Sequence, residues 1–180
     1  MDEGTRAIGD AANAILTVMD VRPARDDDAA VILQMRHAAE DWLAEKGIDQ
    51  WRPREVPLAT VREQIDRGEF VVARFPSSGV VAAAMRLMWS DPEIWRHDDA
   101  FAGYVHGLVI DRAHAGQNLG RHLLDWAAQE TRMAGASKLR LDCAETNLAL
   151  RDYYRRCGFR EFGRRDLDGF SVTLFERTLT

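Results

Sequence analysis

The spacing of apolar side chains changes period several times along this chain, and each change marks an element. In LTVMDVR (residues 16–22), Val18 and Val21 stand among polar neighbours, which predicts a first strand closed by Pro23. Asp26, Asp27 and Asp28 then place negative charge where a helix begins, and Ile32, Met35, Ala39, Trp42 and Leu43 recur at helical spacing until Gly47. A second helix is predicted over 58–67, ended by Gly68. The pattern then shortens: FVVARF (70–75), a PSSG turn and VVAAAMRLMW (80–89) predict a hairpin. SDPEIWRHDDAF is expected to be a loop, and GYVHGLVI (103–110) a strand in which Gly107 can bulge. Helical spacing returns in GRHLLDWAAQETRMAG, ended by Gly135. KLRLDC (138–143) alternates as a strand, Asn147 can cap a helix that runs to Cys157, and the tail predicts two last strands around a DG turn.

Strands that alternate with helices in this order predict an α/β (α+β) fold, and no repeat or linker divides it. Residues 16–180 are therefore expected to form one domain, with residues 1–15 a flexible extension. A chain of 180 residues has enough apolar side chains for one sizeable core. Its net charge of -5 argues against nucleic acid, whose binding rests on cationic side chains. No apolar run is long enough to span a membrane, and the acidic N-terminus does not resemble a secretory signal. These features predict a cytoplasmic protein with no membrane partner. Cys143 and Cys157 lack metal-type spacing and are expected to be free, and the histidines show no ligand cluster with nearby acids, so no metal is expected.

Two segments carry candidate chemistry. HAGQNLG (114–120) lies between a strand and a helix, where unpaired N–H groups can collect an anion. Gly116 can adopt a positive φ, and Asn118 is the non-glycine residue best suited to the left-handed region. Arg112, His114 and Arg121 add positive charge nearby. By itself the stretch fits a phosphate cradle and a plain connector equally well. The second segment has Asn147, Tyr154 and the pair Gly158–Phe159, and by itself it fits a capped amphipathic helix.

Together the two segments resemble the GNAT superfamily of acetyl-CoA-dependent N-acetyltransferases. That family's later signature, Asn-x-x-Ala-x-x-x-Tyr-x-x-x-Gly-Phe, is met by Asn147, Tyr154, Gly158 and Phe159, with Leu150 in place of alanine. Its phosphate loop, Arg/Gln-x-x-Gly-x-Gly/Ala, is met less closely: Ala115 replaces Arg or Gln, Asn118 replaces the first glycine, and Gly120 agrees. The resemblance implies a twisted mixed sheet of about seven strands, splayed between the fourth and fifth and flanked by about four helices. Acetyl-CoA would lie in the splay as co-substrate. Leu108, Val109 and Ile110 would meet its pantetheine arm, and backbone N–H groups over Ala115, Gly116, Gln117, Asn118, Leu119, Gly120 and Arg121 its diphosphate. Asn147 and Arg151 would approach from the other side.

The implied reaction moves an acetyl group directly to a primary amine, with a small molecule as acceptor and a homodimer as one expected assembly. Alternatives are a protein or peptide acceptor, or a non-catalytic acyl-CoA-binding module. A primary amine is neutral in only roughly one part in two thousand at pH 7, so a base is needed. His106 is the first candidate, with Asp142 and Glu145 as rivals. Period-two alternation places Tyr104, His106, Leu108 and Ile110 on one face, provided Gly107 does not bulge. Tyr154, protonated at neutral pH, is the candidate acid for the leaving sulfur, with Tyr153 beside it as a decoy. In the family, the acceptor pocket is built from the first helices and the loop before the fourth strand. Trp51, Trp89, Trp95 and Tyr104 are therefore candidates to line it, with Asp91, Glu93, Asp98 and Asp99 attracting a cation.

Overall fold

The computed structural model describes residues 19–96 and 100–180. The 1–15 extension, the start of the predicted first strand and the acidic pair Asp98–Asp99 lie outside the described residues. A seven-stranded mixed sheet runs in the order β1-β2-β3-β4-β5-β7-β6. Its strands are β1 (Asp20–Pro23), β2 (Phe70–Arg74), β3 (Val81–Met88), β4 (Gly103–Ile110), β5 (Lys138–Ala144), β6 (Arg160–Leu167) and β7 (Phe170–Thr178). Neighbours are antiparallel except β4 and β5, which are parallel. Pro23 sits in β1, an edge strand, where its missing N–H costs no ladder bond.

Among the described residues five helices flank the sheet: α1 (Ala29–Glu45), α2 (Leu58–Asp66), α3 (Pro92–Trp95), α4 (Leu119–Met133) and α5 (Leu148–Arg156). The four long ones follow the predicted periodicity. The expectation of a plain loop over SDPEIWRHDDAF is corrected by α3, which Asp91 caps by accepting from the Ile94 N–H at 3.3 Å. Pro92, at the first helical position, lacks only an N–H that would have no helical partner there.

Each face of the sheet carries its own core. On one side Ile32 and Met35 of α1 and Val61 and Ile65 of α2 pack on Phe70, Val72, Ala84 and Val109. On the other, Leu123, Leu124, Ala127 and Ala128 of α4 and Tyr154 of α5 pack on Val71, Met85, Val105, Leu139, Leu141 and Phe175. Gly107 does bulge: Arg86 faces His106 but Ala84 faces Val109, so one residue of β3 opposes two of β4, and Gly107 has φ +59°. The bulge, which the sequence allowed at Gly107, rules out the four-residue face that an unbulged β4 would have had. Tyr104, His106 and Val109 share the α1 face, whereas Leu108 and Ile110 turn to the α4 face with Val105.

One buried carboxylate organises the connection between α1 and α2. Glu40, 1% exposed, accepts from Arg36 Nε at 2.8 Å, from the Arg54 backbone N–H at 2.9 Å and from Arg54 Nη1 at 3.1 Å. Burial alone would raise its pKa, but these bonds outweigh burial and hold it below the usual carboxylate range. They also hold Arg54 at φ 59°, and Arg36 stacks 4.4 Å from the Trp51 ring centroid. The connection is thereby fixed against the sheet.

The β4–β5 ladder has two pairs, Gly103 with Leu139 and Tyr104 with Arg140, and then the strands part. Gly103 is the root of that parting. A Cβ there would collide with Thr131 Oγ1 and come within 3.3 Å of Leu139 Cδ1, both buried. Gly103→Ala is expected to destabilise the fold by about 1–3 kcal/mol, as other overpacked substitutions do. Urea denaturation checks this: the midpoint should fall with an unchanged slope, and an unmoved midpoint would contradict the packing described.

Candidate active site

Where β4 leaves β5, a groove of about 480 Å³ opens, walled by α1, β4, the turn before α4, the end of β5 and α5. Beyond Tyr104 the β5-facing backbone groups of residues 105–110 have no strand partner. Such unpaired groups pair readily with an extended ligand. At β5's far end, a side chain takes the place of a strand partner. Gln50 Oε1 accepts from the Ala144 N–H at 3.2 Å and from Asn147 Nδ2 at 3.0 Å.

The turn ahead of α4 forms one end of the groove. Asp111 caps a short 3-10 turn (Arg112–His114), accepting from the Ala113 N–H at 3.0 Å. Gly116 then takes φ +81°, and Asn118 takes φ 60°, ψ 14°, as its position next to α4 requires. The N–H groups of residues 116–121 donate to no acceptor among the described residues. They form a row of unpaired donors at a helix N-terminus, the arrangement that suits an anionic group. Gly120 is needed here, because a Cβ would lie 2.6 Å from the Tyr153 hydroxyl. Arg112, on the groove wall, stacks 4.1 Å from the Trp42 ring centroid.

Three polar groups gather on the α1 face near the parting point. His106 Nε2 lies 2.9 Å from Asp91 Oδ2, and His106 Nδ1 lies 3.8 Å from Asp142 Oδ1. Their ligand-capable atoms all lie within 4.8 Å of one another, which corrects the expectation that no histidine joins an acid cluster. The sequence hid the cluster because Asp91, His106 and Asp142 come from three separate elements. Asp91 is buried behind the imidazole, whereas His106 and Asp142 line the groove. Burial is the main force on Asp142 and raises its pKa to about 6; His106 opposes the rise and Asp91 adds to it.

At the α5 wall, Tyr154 packs its ring against Tyr153, Phe159 and Phe175. Its hydroxyl has no hydrogen-bond partner among the described residues, and the residue lines the groove. Burial holds both tyrosines well above the ordinary phenol range, so each stays protonated at neutral pH. Cys143 is free, and burial pushes its thiol up to about 12, which makes it a poor nucleophile. Asn147 Oδ1 caps α5 by accepting from the Leu150 N–H at 3.1 Å, and the residue also faces the groove.

Not every sequence candidate reaches the groove. Leu108, Val109, Ile110, Ala115, Gly116, Asn118, Leu119 and Gly120 do, but the side chains of Gln117 and Arg121 do not. Arg121 donates to the Arg156 carbonyl instead. Arg151 is held by Glu161 at 2.9 Å and by the Glu145 carbonyl, and Glu145 pairs with Arg164; neither lines the groove. Of the four residues proposed for an acceptor pocket, Trp51 alone is in its wall. Trp95 is buried under the Arg140 guanidinium, 4.5 Å from the ring centroid, and the Tyr104 hydroxyl accepts from Arg140 at 3.1 Å. Trp89 is 43% exposed and stacks on Phe101. Sequence reasoning missed Gln50, Trp42 and Leu43 as wall residues. The pairing of Gln50 with Ala144 and Asn147, across more than ninety positions, has no local signature.

Residues 36–159 match the Acetyltransferase (GNAT) family. The chain is 30% identical over 168 residues to a Bacillus subtilis (strain 168) protein named uncharacterized N-acetyltransferase YesJ, covering 88% of this chain and 89% of that one. Among solved structures it resembles a GNAT-family acetyltransferase from Listeria monocytogenes, with a TM-score of 0.74 and 26% identity, covering 89% and 95% of the two chains. It also shares its fold with yncA of Salmonella typhimurium, a structure that contains acetyl-CoA, with a TM-score of 0.67, 20% identity and coverage of 91% and 95%.

The Asp142 carboxyl gives a prediction about pH. Its folded pKa of about 6 stands above the ordinary 3.8, so between those values the folded chain holds more of this proton than the unfolded one. Stability from this group is complete below the unfolded value and is lost as pH rises through about 6. Asp142→Asn should therefore stabilise the protein at about pH 7.5 by up to about 3 kcal/mol, an advantage that vanishes near pH 4. Urea denaturation of both proteins at the two pH values measures it, and an advantage independent of pH would refute it.

Proposed function

The chain belongs to the acetyltransferase (GNAT) family, and from that premise we propose that it transfers an acetyl group from acetyl-CoA directly to a primary amine on a small molecule. The observation that carries this reading is the groove itself: a parted strand edge at one end and a row of unpaired N–H donors at the other. Acetyl-CoA supplies the activated acyl group when bound. Residues 116–121 would hold its diphosphate through backbone N–H groups, and the unpaired edge of β4 would align the pantetheine arm. The replacement of the usual Arg or Gln by Ala115 removes one side chain from a cradle that is mostly backbone, so binding is weakened rather than abolished.

The chain's own residues divide the remaining work. His106, on the wall where β4 parts from β5, takes the proton from the acceptor amine, and Asp142 shares its opening. A backbone N–H of the β4 bulge at Leu108 or Val109 meets the negative charge that develops on the acyl oxygen. Tyr154, kept protonated by burial, gives its proton to the departing sulfur. Direct transfer is favoured over a cysteine-bound intermediate because the thiol of Cys143 stays protonated. Gln50 and Trp51 of the α1–α2 connection line the groove, and a compact acceptor would lie beside them.

A thiol-release assay with acetyl-CoA against a panel of amines, beside calorimetry of acetyl-CoA alone, tests the assignment. Binding with amine-dependent thiol release is expected. Binding without release for any amine would favour a non-catalytic acyl-CoA module, and no binding at sub-millimolar concentration would end the reading. Tyr154→Phe should lower kcat about 10²-fold, with little change in acetyl-CoA affinity. Unchanged turnover would remove the hydroxyl from the mechanism.

A further inference from the structure

We propose that Asp91 is a positioning residue that fixes the ring proton of His106 on Nε2, and that the exposed Nδ1 and the Asp142 carboxylate together form the seat for the acceptor's ammonium group. The inference deepens the proposed function and rests on it for the identity of the acceptor.

The hydrogen-bonding capacity of each group limits where the ring proton can sit. Asp91 is 8% exposed. Its Oδ1 is engaged by the Ile94 N–H at 3.3 Å and its Oδ2 lies 2.9 Å from His106 Nε2. An ionised carboxylate only accepts, so the proton between them belongs to Nε2. In the neutral ring Nδ1 then carries a lone pair. That lone pair lies 3.8 Å from Asp142 Oδ1, beyond hydrogen-bond reach. Two acceptors thus face one opening on the groove wall, and no donor among the described residues lies between them.

Among the described residues, the nearby cations do not supply that donor. Arg86, opposite His106 on β3, is bonded to Glu69 at 2.6 Å, and Arg140 is bonded to Glu176 and Tyr104. A group with two N–H bonds on one atom completes the seat, donating one to Nδ1 and one to Asp142. A primary ammonium does this, whereas a hydroxyl, with one hydrogen, satisfies only one acceptor. The ammonium proton taken by Nδ1 leaves an imidazolium whose Nε2–H remains on Asp91, and the proton then passes to water. Asp142, with its pKa raised to about 6, is mostly ionised at neutral pH and keeps its place open for the amine.

Asp91→Asn tests this without disturbing the cap. The Asn oxygen must still accept from the Ile94 N–H, which turns its NH₂ group towards His106 Nε2 and drives the ring proton to Nδ1. There it points at Asp142 and fills the seat. ¹⁵N NMR of imidazole-labelled protein, with His106 assigned by comparison with His106→Gln, should show the Nε2–H form in the parent and the Nδ1–H form in Asp91→Asn. The kcat/KM for the amine should fall about 10²- to 10⁴-fold, the range expected when a wrong tautomer is imposed. Thermal midpoint and acetyl-CoA affinity should not move. Methylammonium should shift the Nδ1 resonance of the parent, while tetramethylammonium, which has no N–H, should not.

A parent protonated on Nδ1, a tautomer exchange that costs no amine kcat/KM, or equal shifts with both ammonium probes would overturn the inference. The NMR readouts require no turnover. The expected tautomer and methylammonium shift in a protein that releases no thiol would therefore support the seat and count against the proposed reaction.

Discussion

The parting of β4 from β5 after only two paired residues is the constraint on which the rest of the structure depends. Backbone N–H and C=O groups inside a protein are almost always paired, and a strand that abandons its neighbour leaves a row of them exposed. The fold tolerates this because packing holds the strands where they are. Leu123 and Leu124 of α4 and Tyr154 of α5 fill the space behind the gap, and α1 covers the opposite face through Ile32 and Met35. At the far end of β5 the Gln50 side chain accepts from Ala144. The unpaired edge that remains faces the groove, where an extended ligand can use it.

The bulge at Gly107 has a second consequence. It turns Leu108 and Ile110 away from His106, so the imidazole and a buried Val109 share one face while apolar side chains line the other. A regular strand would have placed Leu108 and Ile110 on the α1 face with His106. The extra residue therefore separates the chemistry of the strand from its packing against α4.

What the sequence revealed was mostly local. Helices α1, α2, α4 and α5 could be read because their apolar stripes, the helix-ending glycines and the Asn147 cap all lie within a few residues of one another. The left-handed Asn118 was legible for the same reason. The short α3 carried its signature too, an Asp followed by Pro and Glu, but its four residues offer no periodicity to notice. The site was half legible. His106 and Asp142, candidates from residue type and position, and Tyr154, a candidate from the family signature, all line the groove, whereas the link from Asp91 to His106 and that from Gln50 to β5 arise only when distant segments meet. Trp95 and Tyr104 were assigned to a pocket because the family builds its acceptor site near the loop before the fourth strand. Their environment is set by Arg140, whose alternating strand position gave no hint that its side chain would be fully buried.

Arg140 and His106 lie on the same face of the sheet, on adjacent strands, but in different surroundings. Arg140 is enclosed. Glu176 accepts from it at 2.7 Å, the Tyr104 hydroxyl accepts at 3.1 Å, and Trp95 covers its plane. A buried cation satisfied in this way is locked, because loss of any partner would leave charge unpaired in a dry site. Among the described residues, His106 has a hydrogen-bond partner on one nitrogen only. Its other nitrogen faces a carboxylate across a distance that no hydrogen bond spans, at the edge of a groove. Native structures rarely leave polar groups underpaired away from functional sites, since the arrangement costs stability and returns nothing to the fold. The two clusters thus differ in what they face: Arg140 ties β5 to β7 through Glu176, whereas His106 and Asp142 line the groove.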